Sequence, residues 1–286
     1  MLNFFERKIF VILRGGLGNQ LFIYATALDF VKKKNINKII YINSGDMLHD
    51  STLKIKKNQD IRFYIKNFKI KNDFFKNKYL NFIYFFLKYK LFNKVITDKN
   101  IADLKLSFFQ RRITMYGFFQ NKKNFIEQIP IITKKIYLHR LKNIIKKKNT
   151  VISLSKYAQP TTILSIKYYL RSLKKLKIKL NENIIITSDD LEYAKNIREI
   201  LNQKGYKKIK INLFNRKSAF DDFKAIANSK KLIMSNSTFC LWASAFRSKI
   251  GHSNNKVVCP KNWMHKKYKK KFKNLNLKIF DEWNYL

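Results

Sequence analysis

Glycine, proline, cysteine and acid are all scarce in this chain of 286 residues: seven glycines, three prolines, two cysteines and 18 Asp plus Glu. Two cysteines, Cys240 and Cys259, exclude a disulfide scaffold and a cysteine-rich zinc module, and they suit a reducing compartment as plain buried thiols. Long apolar runs are missing too. No stretch reaches the roughly 18 uninterrupted apolar residues that a membrane span needs. The first residues, MLNFFERKIFVIL, carry Glu6 and no small-residue cleavage site, so no signal peptide is read there. The apolar share of 46% excludes a disordered tail protein despite 28% charged residues. The expectation is a soluble, cytoplasmic, globular protein of two lobes, each of roughly 140 residues.

The shortage of acid against 61 Lys plus Arg leaves a formal net charge of +43. Such a surface attracts polyanions, which raises a nucleic-acid-binding reading. Lys, Asn, Ile, Phe and Tyr are all abundant, however, and all have AT-rich codons, whereas Gly and Pro do not. A compositional bias spreads lysine everywhere without selecting a ligand, and the lysines here are spread over the whole chain. No RRM, zinc or helix-turn-helix signature accompanies them, so no nucleic-acid partner is expected. The densest run, Lys266–Lys273 (KKYKKKFK), is a candidate for peripheral contact with anionic membrane lipid or a phosphate-bearing substrate.

Along the chain, Lys8–Leu13 reads as a strand, Gly15 to Gln20 as a turn, and the segment from Leu21 to Lys34 as a helix closed by lysines. Lys38–Ile42 is a second strand. Tyr79–Phe92 (YLNFIYFFLKYKLF) has amphipathic spacing, read as a domain-packing helix with an interfacial membrane helix as the alternative. Residues from Gln120 to Lys148 read as helical, with Pro130 as punctuation. A second series then alternates: strand Thr150–Leu154, helix Ile166–Leu176, strand Asn183–Thr187, helix Leu191–Leu201, strand Lys207–Leu213, helix Phe220–Asn228, strand Lys231–Met234, helix Cys240–Phe246 and strand Lys256–Cys259. Such alternation implies parallel sheets covered on both faces. The lobes are expected at 1–147 and 148–286.

Three strand-end turns carry the chemistry. Gly15, Gly16 and Gly18 fall within four positions of a chain that has only seven glycines. Glycine lets backbone approach a ligand, and helix N-terminal amides then meet phosphate or sugar oxygens. The spacing matches neither the dinucleotide fingerprint nor the P-loop. Asn19 and Gln20 add amide donors and acceptors. Ser188, Asp189 and Asp190 follow an apolar strand at the end where open α/β sheets bind ligands, and they equally suit a helix N-cap. Asn236, Ser237, Thr238 and Phe239 precede another helix, offering hydroxyls and amides to a diphosphate or, alternatively, only a cap.

At these residues the chain resembles the glycosyltransferase family 11 α-1,2-fucosyltransferases. The similar segments are Arg14–Leu28 (RGGLGNQLFIYATAL), Met115–Phe125 (MYGFFQNKKNF), Ile184–Lys195 (IIITSDDLEYAK), Asp222–Phe246 and Lys256–Met264 (KVVCPKNWM), in order and nearly end to end. One segment departs: where the family has HxRRGDY, with arginines for the GDP phosphates, this chain reads Ser153–Gln159 (SLSKYAQ) and retains Lys156 as its cation. The resemblance implies an α/β protein of GT-B type, two Rossmann-like lobes with parallel sheets facing a cleft, the first on the acceptor side and the second holding the donor. It implies inverting transfer of fucose from GDP-fucose to a galactoside of a surface glycan, as in lipopolysaccharide biosynthesis. The acceptor would be lipid-linked at the inner membrane, and no metal or cofactor would be used. A degenerate relative that binds nucleotide or glycan without turnover is the alternative. Asn19 and Lys156 are the candidate catalytic residues. Gly15, Gly16, Gly18, Asn19 and Gln20 would border the donor, Asp189 or Asp190 would read the guanosine beside Ser188, and Asn236–Phe239 would hold the diphosphate. Asp29, Asp46 and Asp50 are unranked candidates for the base.

Overall fold

The computed structural model describes residues 7–13, 15–36, 38–43, 73–74, 93–98, 101, 105–106, 112–120, 125–130, 132–133, 149–156, 163–211, 219–249, 253–261 and 279–286. Tyr79–Phe92, Lys266–Lys273, Asp46, Asp50 and the expected lobe boundary at 147/148 lie outside the described residues. The chain divides into two units, Met1–Ile136 and Tyr137–Leu286.

In the N-terminal unit, strand β1 (Lys8–Leu13) is buried from Ile9 onward because neighbours flank it on both sides. Its partners are β2 (Lys38–Asn43) and β5 (Arg112–Met115), with β3 (Asp73–Phe74) and β4 (Asn93–Ile96) outside them. The order is β3-β2-β1-β5-β4, every pair parallel. Helix α1 (Leu17–Lys34) begins earlier than the sequence suggested, so Gly18, Asn19 and Gln20 are its first turn and not a loop before it. Gly16 is the N-cap and Gly18 lies in the first turn. Asn35 ends the helix in the left-handed conformation (φ 48°), its N–H bonded to the Val31 carbonyl, behind three lysines that suit the negative helix terminus. Helix α1 is buried on nearly every side from Leu17 to Ala27. The Phe22 ring lies 5.3 Å from Phe125 and the Tyr24 ring 5.6 Å from Tyr41, and burial pushes the Tyr24 hydroxyl up to about 12.

The C-terminal unit contains β6 (Thr150–Leu154), α2 (Ile166–Lys175), β7 (Ile184–Ser188), α3 (Leu191–Gln203), β8 (Ile209–Ile211), α4 (Ala219–Ala227), β9 (Lys231–Ile233), α5 (Thr238–Lys249), β10 (Val257–Cys259) and β11 (Asn284–Tyr285). Its strands are again all parallel, in the order β11-β10-β9-β6-β7-β8. Numbered from β6, that is the 3-2-1-4-5-6 order of doubly wound nucleotide-binding sheets, read from the other edge. Alternation along β6 divides the core. Ile152 and Leu154 pack with Tyr169 and Leu173 of α2 and with Ala194, Ile197 and Leu201 of α3. Helices α4 and α5 pack on each other, with Phe223 edge-on to Phe239 and Phe246. Each of the nine segments read in this series exists, with ends shifted by a few residues. Helix α5 starts at Thr238 and not at Cys240, because Ser237 is its cap: its hydroxyl accepts the Phe239 N–H at 3.3 Å.

Arg247 fastens the base of α5. It is fully buried and donates to the carbonyls of Ser229 (2.9 Å), Lys230 (2.7 Å) and Ser253 (2.9 Å), while burial pulls its pKa down to about 10. Among the described residues no helix is long and apolar enough to cross a membrane. Two units of parallel α/β sheet are the two Rossmann-like lobes expected of the GT-B class.

Candidate functional site

An open parallel sheet has one crevice at its carboxyl edge, where successive connections leave in opposite directions. In the C-terminal sheet that switch point lies between β6 and β9, whereas in the N-terminal sheet β5 stands between β1 and the edge strand β4, so the connection from β4 runs back toward β1. The residues singled out in the sequence fall at the carboxyl ends of strands in both sheets.

Beyond β1, Gly15 has φ +71°, the left-handed region that favours glycine, and a Cβ there would stand 2.6 Å from Asn19 Nδ2. The turn therefore needs glycine both for its conformation and for the approach of Asn19. Gln20 is turned into the fold: it is buried and its Nε2 donates to the Gly15 carbonyl at 2.9 Å, so it shapes the turn from inside. Asn19 is half-buried, and its Oδ1 accepts from Gln120 Nε2 at 2.7 Å. That bond joins the β1 turn to the loop after β5, so the carboxyl ends of two neighbouring strands are tied together. Gln120 belongs to the GFFQ segment quoted above but drew no role from sequence reasoning. Asp98, just beyond β4, was missed altogether. Its carboxylate accepts the N–H groups of Phe118 and Phe119. The sequence carried little signal for it, since β4 reads Asn-Lys-Val-Ile and is too short and too polar to be recognised as a strand.

In the C-terminal unit, β6 and β7 are tied together at their carboxyl ends. Asp189 is exposed, with one oxygen accepting the Ser155 hydroxyl (2.9 Å) and the other the Lys156 N–H (2.8 Å). Asp190 is the N-cap of α3, its Oδ1 accepting from the Tyr193 N–H at 2.7 Å. Its Oδ2 meets Lys156 Nζ at 3.0 Å. Ser188 closes the turn, its hydroxyl donating to the Asp190 carbonyl and accepting the Asp190 N–H. Capping and strand-end bonding thus coexist, and Lys156 is ion-paired to the capping residue.

On the other side of β6, Ser153 Oγ lies 3.1 Å from Ser235 Oγ, across the switch point itself. Burial pushes the Cys240 thiol up to about 11, against hydrogen bonds from Ser153 and Ser235, so it is a neutral filler there. Asn236 is buried, whereas Ser237 and Thr238 are half-buried at the start of α5. Phe239 packs on Phe223. Of the candidate bases, Asp29 pairs with Lys33 at 2.7 Å and lies thirteen residues along α1 from Gly16, about 20 Å from the turn at 1.5 Å per residue.

The model of the family described as "Glycosyl transferase family 11" matches residues 7–286. The chain belongs to that family. As a member it is a glycosyltransferase. A comparison with curated proteins finds no match. Among solved structures, the chain is similar to the fucosyltransferase NodZ from Bradyrhizobium, at 9% identity over 84% of this chain and 93% of that one, with a TM-score of 0.47. It is also similar to the E. coli heptosyltransferase WaaC with ADP (8% identity, 90% and 88% covered, TM-score 0.47). E. coli ADP-heptose LPS heptosyltransferase II is a further likeness (10% identity, 98% and 90% covered, TM-score 0.47).

Proposed function

We infer that this glycosyltransferase moves fucose from GDP-β-L-fucose to a galactose hydroxyl with inversion, forming an α-1,2 linkage on a lipid-linked surface glycan. One observation supports the reading above others: the segments resembling the fucosyltransferase motifs stand at the carboxyl ends of the parallel strands β1, β5, β7, β9 and β10. In this reading the acceptor oxygen attacks the anomeric carbon as the bond to the β-phosphate oxygen breaks, and negative charge grows on the departing GDP. Helix α5 begins at Ser237 and Thr238, where amides and hydroxyls meet that charge without a metal. Lys156 adds a point charge in place of the family's arginines, one ammonium where a guanidinium gives a fork. The edge of Asp189 beside Ser188 reads the guanosine. The Gly15–Asn19 turn is assigned to the donor sugar, with Asn19 as its polar contact. A membrane surface rich in anionic lipid would hold the basic protein near such an acceptor.

The experiment is incubation with a panel of GDP- and UDP-sugars with and without a galactoside, reading release of free nucleotide. GDP-fucose should be consumed, and faster with the galactoside. Absence of release from GDP-fucose would sink the reading. The second reading, a relative that binds nucleotide without turnover, is favoured by the loss of the HxRRGDY arginines and by the Lys156–Asp190 ion pair. Saturable GDP binding with no turnover is its signature.

A further inference from the structure

One side chain from another strand end holds the loop after β5. Asp98 accepts the N–H groups of Phe118 (3.1 Å) and Phe119, charge-assisted bonds to successive amides. Gly117 makes room for that carboxylate, since a Cβ there would collide with Asp98 Oδ2. Phe119 is left-handed at φ 51°, a conformation an aromatic residue rarely adopts and one that the grip on its N–H sustains. The next residue, Gln120, then reaches back 2.7 Å to Asn19 Oδ1. The consequence is positional: the Asn19 side chain is held between Gln120, which its Oδ1 meets, and the Gly15 turn, where its Nδ2 occupies the space a Cβ would take.

We propose that Asp98 is a positioning residue for sugar transfer. Through the 117–120 loop it sets Gln120, and Gln120 holds the Asn19 side chain in place beyond the carboxyl ends of β1 and β5. This rests on the transferase reading above.

The test is a cycle of Asp98→Ala, Gln120→Ala and the double variant, together with Gln120→Glu, assayed for GDP-fucose turnover and for melting temperature. Gln120→Glu keeps the size of the side chain and can still hold Asn19 by accepting from its Nδ2. Each alanine variant should lower kcat by about 10- to 100-fold, the loss expected of a misplaced group, with KM for GDP-fucose within about threefold. The double variant should be no worse than the poorer single one, and Gln120→Glu should recover most of the kcat that Gln120→Ala loses. Losses that multiply in the double variant, or a Gln120→Glu enzyme as slow as Gln120→Ala, would overturn the proposal while the transferase reading stands. A wild type that turns over no GDP-fucose would remove both.

Discussion

Asp190 has two separable roles, and substitutions can tell them apart. Its Oδ1 caps α3 through the Tyr193 N–H, and its Oδ2 holds the Lys156 ammonium at 3.0 Å. Asp190→Ala removes both. The cap is worth about 1 kcal/mol. The ion pair adds no more than about 0.5 kcal/mol, because the Lys156 side chain is 41% exposed and solvent screens it. Asp190→Asn keeps an oxygen for the cap and gives up only the charge. Lys156→Met removes the pair from the other side. Urea denaturation should therefore rank Asp190→Ala lowest, by about 1.5 kcal/mol, with the other two within about 0.5 kcal/mol of the wild type. Calorimetric titration with GDP should invert part of that ranking. Lys156→Met should bind GDP about tenfold more weakly, equivalent to about 1.4 kcal/mol, whereas Asp190→Asn should bind no worse than the wild type. Equal destabilisation by Asp190→Ala and Asp190→Asn would refute the capping argument. Unchanged GDP affinity in Lys156→Met would refute the cation's assignment to the diphosphate.

Gly15→Ala forces a side chain into a left-handed residue and against Asn19 Nδ2, so it should cost about 1–2 kcal/mol in denaturation and abolish most turnover. Gly16→Ala, with nothing near its would-be Cβ, should be much milder. Arg247→Met leaves three carbonyls without their donor and should destabilise the C-terminal unit by about 3 kcal/mol or more, which a large fall in melting temperature would register. Glu182 offers a pH test. Burial opposes its ionisation, but hydrogen bonds from Thr150 and Lys231 outweigh that and hold its pKa below the ordinary value of 4.5. The folded state therefore favours the carboxylate, so its contribution is complete above the ordinary carboxylate range and is lost as pH falls through the lowered pKa. Glu182→Gln should flatten the acid limb of stability against pH, and an unchanged limb would contradict the sign.

How much of this was legible depended on length and isolation. Strands β1 and β6 were readable to the residue because six and five residues run without a break in their burial demand. Strands β3, β4, β5 and β11 were not read. They have two to four residues, and β5 opens on Arg112, so no periodicity accumulates. They are strands because a buried neighbour supplies the hydrogen-bond ladder, which is tertiary information. The helix starts at Leu17 and Thr238 were hidden for a local reason: glycines and hydroxyls read as loop, yet at N-caps and first turns they are what a helix accepts. In the site, the turns were legible and their pairings were not. Asn19 meets Gln120 only because β5 inserts beside β1, and Ser153 meets Ser235 only because β9 returns beside β6.

That distinction changes what the acids mean. A carboxylate just after an apolar strand reads the same whether it faces a ligand or the neighbouring strand end. Here Asp98, Asp189 and Asp190 all accept backbone N–H groups of their own fold, across 20, 33 and three residues respectively. A chain with 61 basic and 18 acidic residues has no shortage of charge to offer a diphosphate. In the proposed transfer it would have little means to aim that charge, since lysines are flexible and Lys156 stands where the family motif has arginines. Acids that fix strand-end backbone would then supply rigidity, because amides and hydroxyls held in place stabilise developing charge without reorganising. The substitution of one lysine for paired arginines is then tolerable only if these carboxylates do orienting work, which is why their loss should cost more in turnover than in stability.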